Sequence, residues 1–95
     1  MQYEKDLEQK LVQLCKNNNI WCLKFTAVGT AGLPDRVLIS YDTGAIGFLE
    51  LKRTGEKPRP LQKYMMKQLR KFKQLVDWTD NYEGCEDFVR RLLEK

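Results

Sequence analysis

The chain has 95 residues and no histidine, and its 17 lysines and arginines against 13 aspartates and glutamates leave a formal net charge of +4. The missing histidine excludes a Ser-His-Asp triad, a Cys-His nucleophile pair, a histidine general base and any histidine-ligated zinc or iron. Chemistry must then fall to carboxylates, lysine or cysteine, within one domain (residues 1–95) whose 42% hydrophobic and 32% charged composition is that of a folded globular chain.

In chain order, Leu7, Leu11, Leu14 and Cys15 recur at helical spacing and predict a helix over 3–18, which Asn17, Asn18 and Asn19 end. Residues 20–27 are β-branched and aromatic and predict a strand. Gly29, Gly32 and Pro34 make a loop before a second strand over 35–41. Asp42-Thr43-Gly44 reads as a hairpin turn into a third strand over 45–52. After a loop with one glycine and two prolines, Pro60 starts a helix to about residue 75. Leu61, Met65, Leu69, Phe72 and Val76 are its expected apolar face. Residues 76–79 form a short fourth strand. A last helix over 85–94 turns Phe88, Val89 and Leu92 inward. The order α-β-β-β-α-β-α defines a mixed α/β domain.

Cys15, Cys22 and Cys85 are odd in number and contain no CxxC pair, so a disulfide framework or a zinc knot is not expected. Reduced thiols, a charged N-terminus without secretory character and no apolar run near the length of a bilayer span point to a cytoplasmic protein with no membrane partner. The charge is concentrated. Between Lys52 and Lys73, nine basic residues face the single acid Glu56, a block of +8 against −4 for the remainder. Such a block fits a polyanion, nucleic acid foremost, or a solvated helix face.

Three acids stand where a core has no use for them. Glu8 lies along the apolar stripe of the first helix, with Glu4 one turn earlier. Asp35 stands at the mouth of the second strand, where a turn role also suits it. Glu50 ends the apolar strand Ala45-Ile46-Gly47-Phe48-Leu49, and alternation puts Lys52 on the same face. Antiparallel pairing of the second and third strands brings Asp35 beside Glu50. An all-oxygen donor set suits a hard cation, Mg²⁺ or Mn²⁺. A cation, a nearby lysine and a basic helix together suit phosphodiester hydrolysis.

Pro34-Asp35 and Glu50-Leu51-Lys52 resemble the PD-(D/E)xK nuclease signature, with fifteen residues from acid to acid. Gly32-Leu33-Pro34-Asp35-Arg36, Gly44, Phe48-Leu49-Glu50-Leu51-Lys52 and Gln62 together resemble the VRR-NUC (virus-type replication-repair nuclease) family, and Lys24 also fits. One departure is Asn19-Ile20 in place of the usual glycine after the first helix. The resemblance implies a restriction-endonuclease-like α-β-β-β-α-β core, a mixed sheet flanked by helices. It implies Glu8 (Glu4 as the alternative), Asp35, Glu50 and the Leu51 carbonyl as ligands of Mg²⁺ or Mn²⁺, Lys52 as the catalytic lysine, and Gln62 as a positioning residue. It further implies a homodimeric endodeoxyribonuclease acting on branched DNA, as Holliday junction resolvases do. Lys24, Arg36, Arg53, Lys63, Lys67, Arg70 and Lys71 would hold the DNA backbone. Two other readings stand beside it: a non-catalytic DNA-binding module, or an accessory subunit of a recombination complex. Tyr64, Met66 and Trp78 are candidates for a dimer surface, though core packing is the commoner fate of such residues.

Overall fold

The computed structural model describes residues 4–95 and contains helix α1 (Glu4–Asn17), strands β1 (Ile20–Lys24), β2 (Arg36–Ser40) and β3 (Ile46–Leu51), helix α2 (Pro60–Lys71), strand β4 (Leu75–Thr79) and helix α3 (Tyr82–Leu93). Residues 1–3, which include the first residue of the expected α1, lie outside the described range. The strands form one sheet in the order β1-β2-β3-β4, antiparallel across the first two junctions and parallel between β3 and β4. The parallel step needs a crossover, which α2 supplies.

Alternation along the strands gives the sheet two unlike faces. Leu38 and Leu49 turn to one face and pack with Leu7, Leu11 and Cys15 of α1 and with Cys85, Phe88, Val89 and Leu92 of α3. That is the main core. On the other face α2 covers β4, burying Met66 and Val76. The rest of that face stays open. Trp21 and Ile46 are exposed, and Leu23, Val37, Ile39 and Phe48 are half-buried.

Local chemistry explains where the observed elements differ from the expected ones. Strand β1 ends at Lys24 rather than at residue 27, and one further bond, from Phe25 N–H to the Asp35 carbonyl, closes the ladder before the chain leaves the sheet. Helix α2 stops at Lys71 because Lys73 adopts a positive φ of 64°. Lys73 N–H bonds to Arg70 O and Gln74 N–H to Leu69 O, the paired bonds of a Schellman cap, usually built with glycine. Helix α3 starts earlier than expected because the Asn81 side chain accepts a bond from Gly84 N–H at 2.8 Å and caps it. The apolar face assigned to α2 also shifts. Gln62 and Met66 are buried, whereas Leu61 is 51% and Phe72 72% exposed. Of the three side chains weighed for a dimer surface, Met66 is core, Trp78 half-buried and Tyr64 exposed.

Gly47 in β3 shows how closely the main core is packed. A Cβ there would stand 2.8 Å from Cζ and 2.9 Å from Cε2 of Phe88. Gly47→Ala is therefore expected to cost about 1–3 kcal/mol in urea unfolding through overpacking. Gly47→Ala combined with Phe88→Leu should cost less than the two single changes added together, because the ring that obstructs the methyl is gone.

Candidate active site

Glu50 stands next to last in β3 on the face opposite the main core, since its neighbour Leu49 pairs with Arg36 and points into that core. The Glu50 residue is 8% exposed, and a carboxylate so buried must be held by donors. Its Oε1 accepts from Asp35 N–H at 3.3 Å and its Oε2 from Gln62 Nε2 at 3.3 Å. The Lys52 ammonium lies 3.7 Å from the same Oε2. Asp35, Glu50, Lys52 and Gln62 thus meet at one end of the sheet, on the face that α2 covers.

Gln62 occupies the third position of α2. Its Oε1 accepts from Arg59 N–H at 2.9 Å, so its amide nitrogen is the end turned to Glu50. One side chain therefore caps the helix and holds the carboxylate. The loop between Lys52 and α2 is anchored by Lys52 N–H to Thr79 O at 2.9 Å and Gly55 N–H to an Asp80 carboxylate oxygen at 3.0 Å. Burial, and after it the negative charge of Asp35, pushes the Glu50 carboxyl above the ordinary carboxylate range, with the Lys52 charge opposing.

The two acids of α1 go separate ways. Glu8 forms an ion pair with Arg36, which pairs with Leu49 and so lies on the main-core face, across the sheet from Glu50. The negative charge of Glu4, by contrast, reaches the Glu50 carboxyl and helps raise it. The expected place of Glu8 beside Asp35 and Glu50 is thus not observed, because the buried Arg36 guanidinium holds it elsewhere. Among the described residues no three side chains of Asp, Glu and Cys come together closely enough to hold a metal ion.

The basic residues also divide. Lys63, Lys67, Arg70 and Lys71 recur along one exposed stripe of α2, with Arg70 also donating to Val76 O at 3.1 Å. Lys24, at the site end of the edge strand β1, is exposed, as is Arg53, which pairs with Glu56. Arg36 is corrected from its expected role. It is 6% exposed and is paired with the part-exposed Glu8, so it is not presented to a phosphate backbone. Sequence reading carried Glu4 as the alternative to Glu8, and it is Glu4 whose charge acts on Glu50; it missed the capping role of Gln62. A Gln three residues past the helix cap was the available signal for it.

No protein-family model matches the chain. In three dimensions it is similar to a solved structure described as a VRR_NUC domain, with a TM-score of 0.84 at 21% identity over 95% of this chain and 97% of that one. The chain has the VRR_NUC domain fold, a mixed sheet flanked by helices in the restriction-endonuclease-like manner. It is also 39% identical over 59 residues to "Putative nuclease p44" of Acyrthosiphon pisum secondary endosymbiont phage 1. The match spans 62% of this chain and 62% of that relative's length.

The raised Glu50 carboxyl makes a stability prediction with a definite sign. A carboxyl raised by folding favours the folded state while it is protonated. That contribution is full below its ordinary value of 4.5 and is lost as pH climbs through the raised value. Glu50→Ala removes this pH-dependent contribution. The stability of wild type relative to the variant should therefore be greatest below about pH 4.5 and fall as pH climbs toward neutrality. Urea unfolding of both proteins across this range measures it.

Proposed function

We propose that the chain is a Mg²⁺- or Mn²⁺-dependent, structure-selective endodeoxyribonuclease that works as a homodimer on branched DNA, in the manner of Holliday junction resolvases. The observation that carries this reading is the meeting of Asp35, Glu50, Lys52 and Gln62 beside the exposed basic stripe of α2. The VRR_NUC fold and the nuclease name of the phage relative support it, and the cytoplasm of a bacterial host is the setting we infer.

The residues present fit a hard cation. Asp35 and Glu50 are like-charged and close enough for one to raise the other, a repulsion that a bound cation relieves. Two carboxylates and the Leu51 carbonyl, with Glu4 of α1 facing them, give oxygen donors only. One or two carboxylates are what Mg²⁺ commonly takes from a protein, since it keeps several of its waters. When bound, the cation would supply Lewis acidity and neutralise charge building on the scissile phosphate. The Lys52 ammonium, held near Glu50, is placed to orient the attacking water or to contact the phosphate. Gln62 keeps Glu50 in place while Lys24, Arg53, Lys63, Lys67, Arg70 and Lys71 bind the backbone. Products would carry 5′-phosphate and 3′-hydroxyl ends.

The open sheet face supports the homodimer. Trp21 at 65%, Tyr41 at 85% and Ile46 at 38% exposure border the half-buried Leu23, Val37, Ile39 and Phe48. A stable dimer buries about 800 Å² per partner, and an apolar sheet face is suited to that. Two sites related by a two-fold axis would match the two cuts a junction needs.

A labelled four-way junction with Mg²⁺ or Mn²⁺ tests the reading. Wild type should cut. Asp35→Ala, Glu50→Ala and Lys52→Ala should each lose about 100-fold or more in rate while still binding the junction. Metal-independent binding without cutting by any form would favour the non-catalytic module, and cutting only after a partner complex is added would favour the accessory subunit. Replacing Lys63 and Lys67 with alanine should weaken binding alike on all sequences and reduce the salt slope by about one for each phosphate no longer neutralised. Light scattering should give a dimer mass for wild type and a monomer mass for Trp21→Asp.

A further inference from the structure

Helix α2 packs on β4 and turns Gln62 and Met66 inward, which leaves two parallel rows on its outer surface. Lys63, Lys67 and Lys71 form one row. Tyr64, Gln68 and Phe72, each one residue further on, form the other, with Phe72 as the cap residue that ends the helix. Residues three and four apart are neighbours on a helix, so Tyr64 lies beside Lys67 and Gln68 beside Lys71. The three lysines are exposed, Tyr64 is 57% and Phe72 72% exposed, and Gln68 is half-buried. Helix α2 contains no acid, and among the described residues no carboxylate pairs with any of these lysines.

We propose that the two rows form a strip that binds single-stranded DNA, the lysines taking phosphates of an unpaired segment and the Tyr64 and Phe72 rings stacking on its bases. The choice of DNA as the polyanion rests on the nuclease reading above. Lone apolar side chains are common on any protein surface. Two rings running beside three cations are a different arrangement. A duplex offers its phosphates but keeps its base faces stacked inside, whereas an unpaired strand offers charge and π-face side by side. Each row advances ~6 Å per four residues and ~12 Å in all, room for a few nucleotides. The Gln68 amide, between the rings, carries both a donor and an acceptor for a base edge. The strip begins beside Gln62, which holds Glu50, so a strand lying on it runs toward the end of the sheet where the carboxylates meet.

The helix end keeps Phe72 outward. Its N–H bonds to Leu69 O at 3.1 Å and to Gln68 O at 3.3 Å, and the positive φ of Lys73 turns the chain into β4 directly afterwards. Val76, not Phe72, is therefore the residue that enters the core. A second copy of the chain is the other occupant an exposed aromatic row could take. In a two-fold contact the same patch meets itself, so the lysine row would face the lysine row of the copy, like charge against like. A polyanion meets that row with opposite charge.

Binding measured in EDTA, where no metal-dependent cutting occurs, tests the strip apart from the chemistry. Wild type should bind a short fluorescein-labelled oligo(dT) by anisotropy and quench a 2-aminopurine placed within that strand. Tyr64→Ala and Phe72→Ala should each weaken this binding about 5- to 100-fold and reduce the quenching, with binding to a duplex of the same length unchanged. Tyr64→Phe keeps the ring and should bind and quench as wild type does. Lys67→Ala should lower the salt slope on the single strand by about 0.7. Far-UV circular dichroism checks that each variant is folded. Oligo(dT) binding of wild-type strength in both alanine variants, equal losses on single strand and duplex, or no quenching by wild type would each overturn the proposal. So would a dimer mass lost in Tyr64→Ala, which would make the row a protein contact. Failure of junction cutting with the binding results intact would count against the nuclease reading and not against the strip.

Discussion

A carboxylate buried at the end of a sheet has to be held, and the way Glu50 is held organises this molecule. Its two oxygens are divided between a backbone donor before β2 and a side-chain donor at the start of α2. The first bond ties Asp35 to β3, and with it the end of the 29–34 loop. The second fixes the start of α2, because Gln62 spends its other end on the helix cap. With the first turn of α2 set, the stripe of Lys63, Lys67, Arg70 and Lys71 is set too. One acid thus determines where the positive surface lies relative to the negative centre. Loss of that acid would release the Asp35 N–H and the Gln62 amide together, which separates it from an ordinary surface glutamate.

Strand alternation keeps two chemistries apart within strands of five and six residues. Arg36 directly follows Asp35, yet its guanidinium belongs to the main-core face with Glu8 and Cys22. Asp35 belongs with Glu50. The same one-residue step separates Leu49, at 0% exposure in the core, from Glu50, and Leu51 from Lys52. A slip of one residue in the β2–β3 register would exchange these sets, placing Glu50 among leucines and Leu49 beside Asp35. The pairing of the buried Arg36 with the part-exposed Glu8 resists such a slip, since a displaced Arg36 leaves an unpaired charge inside.

Much of this was readable in the amino-acid sequence because it rests on periodicity and spacing. The antiparallel pairing of β2 with β3, the approach of Asp35 to Glu50 and the shared face of Glu50 and Lys52 follow from alternation across a hairpin. The choice between Glu4 and Glu8 did not, because it turns on a partner twenty-eight residues away, Arg36, whose burial no local pattern reports. The inner face of α2 was hidden for a related reason. Gln62 is polar and nevertheless buried, since its work is to satisfy Glu50, so the stripe drawn through Leu61 and Phe72 missed it. The end of α2 was hidden because a lysine, not a glycine, takes the positive φ.

Asp35 and Glu50 repel, and burial worsens the repulsion, so the site is least favourable in the ion-free, fully charged protein. Lys52 offsets only part of this, at 3.7 Å rather than in a tight pair. A closer lysine would bring Glu50 back toward its ordinary acidity but would compete for the oxygens a cation needs. The observed spacing leaves Glu50 ionisable and still short of positive charge. Under the proposed function, that residual deficit is what a divalent ion would relieve, and it follows from the placement of three side chains on one face of one sheet.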